Sequence, residues 1–134
     1  MIVVDTNVIA YLYLSSAHTA AAEKTLLRDP AWAAPSLWRS QMRNILALYV
    51  RQLLLAPADA VRILAEAESL MAGQGYDVRS RAVLELSIAS GCSAYACEFV
   101  LLAQDLGVAL VTADRKVLAS FPANAVALSQ FAHG

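Results

Sequence analysis

The sequence predicts an α/β fold with a short, mainly parallel central sheet. Short apolar runs of strand length near residues 1–4, 31–34, 108–111 and 125–128 alternate with longer helical segments, the pattern of βα units. Two of these runs lead into an aspartate. Asp5 closes Met1-Ile2-Val3-Val4, and Asp114 stands just past Val108-Ala109-Leu110-Val111 and Thr112-Ala113. Ligands of open α/β sheets bind beyond the carboxyl ends of the strands, so two strands ending this way can aim two fixed negative charges at one divalent cation. Asp is also a favoured helix N-cap, the plainer role for each residue taken singly.

The elements follow in order. Residues 1–4 read as a buried strand, and a short helix runs through Ile9, Leu12 and Tyr13. His18 to Arg28 is Ala-rich and helical, ending before Pro30. Ala31 to Ala34 forms a short strand that Pro35 ends, and Ser36 is placed to cap a long helix reaching about Gln52. Pro57-Ala58-Asp59 opens the next helix, proline being tolerated in a first turn; it runs to about Ala72 and stops at Gly73-Gln74-Gly75. Tyr76-Asp77-Val78 reads as a third strand, and Ser80 to Ser90 as a helix stopped by Gly91. Ser93 caps a helix that ends at Gly107. The strand Val108–Val111, a brief helix from Asp114 to Ala119, a turn at Phe121-Pro122 and a last strand at Ala125–Leu128 complete the chain.

The 134 residues make one domain, 1–134, with no repeat, linker or low-complexity tract. The mean hydropathy of +0.53 is high. Yet the apolar runs are short, and the longest, Phe99 to Ala113, is broken by Gln104, Asp105 and Gly107, so no membrane span is expected. The excess apolar surface points instead to an oligomer or partner interface. The N-terminus lacks the basic region of a signal peptide. Cys92 and Cys97 have no zinc spacing and read as reduced core residues of a cytoplasmic protein. A net charge of −1 does not advertise nucleic acid, although Arg39, Arg43, Arg79, Arg81, Arg115 and Lys116 could gather on one face.

Two helices add to the aspartate pair. Leu37, Gln41, Asn44, Ile45 and Leu48 recur at helical spacing. Their shared stripe, otherwise apolar, should face the core, which directs two amides inward, where each needs a partner. In the later helix, position 96 is the third residue after the Ser93 cap. An acid there would complete a capping box or reach a metal, but the residue is Ala96.

At these positions the chain resembles the PIN-domain family. Val4-Asp5-Thr6-Asn7-Val8-Ile9 is similar to that family's opening motif. Leu37-Trp38-Arg39-Ser40-Gln41-Met42-Arg43-Asn44 resembles the second, which carries Glu where Gln41 stands. Ser93-Ala94-Tyr95-Ala96-Cys97-Glu98-Phe99-Val100 resembles the third, which carries Asp where Ala96 stands. Leu110-Val111-Thr112-Ala113-Asp114 resembles the fourth. The likeness covers nearly the whole chain, and its single-domain length is that of VapC-type toxins of bacterial toxin–antitoxin pairs.

The resemblance implies a PIN-like α/β/α sandwich and a Mg²⁺- or Mn²⁺-dependent endoribonuclease, homodimeric and inhibited by a small antitoxin protein. It implies a four-acid centre of which Asp5 and Asp114 remain as metal ligands. Asn7, Asn44, Thr112 and Ser93 are supporting residues, and Arg39, Arg43 and Arg115 are candidates for RNA contact.

Gln41 keeps an oxygen but cannot act as a base, and Ala96 offers only a methyl group. Glu98 is a poor replacement, since two residues along a helix turn it about 200° away. Losing one strong electrostatic contact typically lowers a rate by about 10²–10³. The expectation is therefore a crippled nuclease, with a non-catalytic module binding antitoxin or RNA as the alternative. A haloacid-dehalogenase-type phosphotransferase would need an acid at Asn7, and a receiver domain a lysine placed differently from Lys116.

Overall fold

Strand β1 (Ile2–Val4) occupies the middle of a five-stranded sheet in the computed structural model, which describes residues 1–134. The other strands are β2 (Trp32–Pro35), β3 (Gly75–Tyr76), β4 (Leu110–Thr112) and β5 (Ala125–Ala127). Their order is β3-β2-β1-β4-β5, and every pairing is parallel. All residues of β1, β2 and β4 are buried, as a parallel sheet covered on both faces requires.

Eight helices flank the sheet: α1 (Thr6–Tyr13), α2 (Thr19–Arg28), α3 (Trp38–Arg51), α4 (Pro57–Leu70), α5 (Ser80–Ser90), α6 (Ala94–Leu106), α7 (Arg115–Ser120) and α8 (Leu128–His133). Helix α6 crosses β1, β2 and β4 and carries α5 beside it, whereas α1, α2, α3, α4 and α8 form a connected second layer. The architecture is an α/β/α sandwich around one core that includes Trp32, Trp38, Ile9, Met42 and Val100. No single helix is long and apolar enough to cross a membrane, and the apolar pair α5 and α6 turns through 113° between its members.

The topology positions the site. β1 connects outward to β2 on one side, while β4 pairs on its other side, so the chain direction switches between β1 and β4. A crevice opens at the carboxyl ends of such a strand pair. This order also differs from the 2-1-3-4-5 of receiver-like sheets.

Several expectations need correction. Ser36 is not the cap of α3: its hydroxyl donates to Asp77 Oδ1 at 3.1 Å, and Leu37 stands at the N-cap with no side-chain cap bond; Pro35 ends β2 as its last residue. The third strand is Gly75–Tyr76 rather than 76–78. β4 starts two residues late because Gly107, at φ +66°, ends α6 in a Schellman turn, with Val108 N–H bonded to Ala103 O at 3.0 Å. Leu128 leaves the last strand to open α8, a helix that the sequence reading did not include. The core face of α3 is Trp38, Met42 and Leu46. The stripe through Leu37, Gln41, Asn44, Ile45 and Leu48 is half-buried or exposed.

A candidate active-site cleft at the strand ends

The β1–β4 register sets Val4 beside Val111, which brings the next residues, Asp5 and Thr112, level with each other. The Thr112 side chain is fully buried and its hydroxyl donates to Asp5 Oδ2, while its oxygen accepts from the Asp114 N–H at 3.0 Å. One threonine thus ties the two aspartates together. Both also cap helices. Asp5 Oδ1 accepts from Asn7 N at 2.8 Å at the start of α1. Asp114 Oδ1 accepts from Lys116 N and Val117 N at 2.9 and 3.1 Å at the start of α7. Capping and site placement are not alternatives here, because a helix that begins directly after a strand puts its cap at the strand's carboxyl end.

These residues line a cleft of about 500 Å³. Its walls bring together Asp5, Asn7, Gln41, Asn44, Ser93, Ala96, Thr112 and Asp114. Gln41 arrives from α3, where Thr6 donates its buried hydroxyl to Oε1 at 2.6 Å. That bond fixes the amide and leaves its NH₂ as a donor. Ala96 sits in the first turn of α6, its N–H capped by Ser93 Oγ at 3.1 Å, with only its methyl group for the cleft. Leu37, Ile45, Phe99, Leu110 and Val117 supply the apolar lining.

Sequence reasoning missed Thr6, Ser40 and Tyr95, which also border the cleft. The spacing of Ser40 from Asn44 on α3 carried the signal for one of them. Arg39, Arg43 and Arg115 are exposed and do not border the cleft. Arg79 and Arg81 are paired with Asp105 and Glu85, and Lys116 Nζ donates to Gly91 O at 2.6 Å, so the basic residues form no single patch around it. Glu98 faces a separate hollow of about 350 Å³ with Ser36 and Asp77, and burial raises its carboxyl above the ordinary range. Cys92 and Cys97 are free and buried.

Burial pushes the Asp5 carboxyl above its ordinary range. The Thr112 hydroxyl and the Asn7 amide pull it back, and Asp114 adds repulsion. A cation beside both carboxylates would relieve that repulsion. The available donors are all hard oxygens, but no group of three or more His, Cys, Asp or Glu side chains converges anywhere in the chain. Two carboxylates with neutral oxygens around them do not make a multi-carboxylate centre, and the hard oxygens present are of the kind that hard divalent cations take.

No protein-family model matches the sequence, and no curated protein matches it at a significant level. Among solved structures, the chain is similar to the crystal structure of PAE2754 from Pyrobaculum aerophilum. The identity is 21%, the match covers 98% of this chain and 93% of that one, and the TM-score is 0.75. At that identity the likeness is one of fold: almost the whole of each chain follows the same path.

Proposed function

We propose that this chain is a PIN-domain protein of the VapC toxin type whose endoribonuclease centre has lost two of four acids, leaving little or no turnover. The observation that supports this most is convergence. Asp5, Gln41, Ala96 and Asp114 come from four separate segments and line one cleft at the switch point of the sheet.

Mg²⁺ or Mn²⁺, when bound, would supply Lewis-acid charge and an activated water for phosphodiester hydrolysis. Asp5 and Asp114 are the residues to hold it. Gln41, clamped by Thr6, can donate its NH₂ to a water or a phosphate oxygen but cannot accept a proton as a base. Ala96 contributes no polar atom. The reading includes a small antitoxin, a homodimer and an RNA substrate as partners, on the strength of the sequence motifs.

The experiment compares this chain with Gln41→Glu/Ala96→Asp on single-stranded RNA in Mg²⁺ or Mn²⁺. The double variant should cleave at least about 10²-fold faster. Equal cleavage by both would remove the crippled-centre reading, and no cleavage by either would remove the nuclease assignment. The bare methyl of Ala96 also favours a second reading, a binding module. RNA or antitoxin binding that leaves RNA intact in both proteins would select it.

A further inference from the structure

Tyr95 stands apart from the other tyrosines. Of the five in the chain, Tyr11, Tyr13, Tyr49 and Tyr76 pack against the core, and Tyr95 does not. It is 63% exposed, on the first turn of α6, and borders the cleft one residue before Ala96. In the lining of the same cleft, Asn7 on α1 and Ser40 and Asn44 on α3 offer exposed polar groups. An exposed aromatic on a helix turn, bordering a cleft that polar groups also line, is how proteins hold an unpaired nucleobase: the ring stacks on the base face and polar groups reach its edge.

We infer that Tyr95 is a stacking platform for one unpaired nucleobase of a single-stranded RNA, adjacent to the strand-end aspartates. This rests on reading the cleft as a phosphodiester site. The two aspartates need the backbone beside them, and a cleft of about 500 Å³ has room for one nucleotide against the ring. Stacking tolerates any base but favours purines through their larger face, and a duplex, whose bases are already stacked, is excluded.

The test measures binding in EDTA, where cleavage is absent, by fluorescence anisotropy with labelled decamers of adenylate and uridylate and with a duplex of equal length. Tyr95→Ala should weaken adenylate binding by about tenfold or more. Tyr95→Phe and Tyr95→Trp should stay within about threefold of the parent. The salt dependence should be unchanged, since the ring touches no phosphate. Because Tyr95 lies outside the core, all three variants should keep the parent's melting temperature. Unchanged affinity in Tyr95→Ala, equal loss in Tyr95→Phe, or no binding of any single strand would overturn the inference. A deoxyadenylate decamer that binds as tightly and is equally sensitive to Tyr95→Ala would overturn the restriction to RNA. The outcome separates from that of the nuclease reading: Tyr95-dependent binding with no cleavage by Gln41→Glu/Ala96→Asp would sink the reading alone. Cleavage by that variant with affinity indifferent to Tyr95 would sink this inference alone.

Discussion

Replacing Thr112 by valine keeps the side-chain shape and deletes the hydroxyl that links the two aspartates. Two hydrogen bonds go, one to the Asp5 carboxylate and one from the Asp114 N–H. Thr112 is 1% exposed, so no water takes the hydroxyl's place. A hydrogen bond to a charged group contributes about 1.5–3 kcal/mol, and an N–H left without a partner costs about 1–3 kcal/mol. With the N–H only partly buried, the total is about 3 kcal/mol. For a domain of this length that lowers the melting temperature by about 10 °C. The effect should depend on pH, because the Thr112 hydroxyl is one of the groups holding the Asp5 carboxyl down against burial. Without it the carboxyl binds its proton more tightly, so the penalty is largest where Asp5 is ionised and shrinks in acid. Circular dichroism melts of Thr112→Val and Thr112→Ser between pH 4 and pH 8 are the assay. Serine keeps the hydroxyl and should lose only about 1 kcal/mol for its methyl group. A valine variant as stable as the parent at pH 8, or a serine variant as unstable as the valine, would refute the bridging role.

Three further outcomes follow from the same geometry. Asp5 is raised above its ordinary 3.8, so its favourable contribution is present below that value and is lost as the pH rises through the higher folded-state value. Asp5→Asn should therefore raise the melting temperature at pH 8 and leave it nearly unchanged in acid; an equal gain at pH 4 would contradict the assigned burial cost. In Gln41→Glu/Ala96→Asp, a carboxylate at the start of α6 gains about 0.3–1 kcal/mol from the helix. Like charges at about 4–6 Å repel by on the order of 3–4 kcal/mol at an effective dielectric of about 20. Its melting temperature in EDTA should fall below the parent's and recover in millimolar Mg²⁺, and a rise in EDTA would exclude the repulsion. Gly91 ends α5 at φ +75° with open space where a Cβ would sit. Gly91→Ala should cost about 1–2 kcal/mol from backbone strain alone, and Gly91→Asn less, measured by urea denaturation.

The sheet and the helices that carry the site were legible because each has a local signature. Asp5 and Asp114 cap α1 and α7, and Ser93 caps α6. What stayed hidden depends on distant partners. Ser36 has the chemistry of a cap, but Asp77, 41 residues away, takes its hydroxyl. The stripe through Gln41 and Asn44 has core-like periodicity. The true core stripe, Trp38, Met42 and Leu46, runs beside it with the same helical period, and the fold buries that wholly apolar stripe while the amide-bearing one borders the cleft. At six residues, α8 is too short to announce itself by period, and its place is set by packing against α2. In the cleft, Thr6 was unreadable because its partner Gln41 lies 35 residues on.

The two aspartates are load-sharing parts in a way that positions 41 and 96 are not. Asp5 and Asp114 each hold a helix start, and losing such a cap costs about 0.5–2 kcal/mol. The amide of Gln41 accepts the Thr6 bond as well as a carboxylate would, and Ser93 caps α6 whatever side chain stands at 96. A substitution that strips the side-chain acceptor from position 5 or 114 loosens a helix start, whereas a change at 41 or 96 leaves both of those helix starts intact. On the nuclease reading proposed above, positions 41 and 96 are therefore the ones free to change without disturbing how α1, α6 and α7 begin.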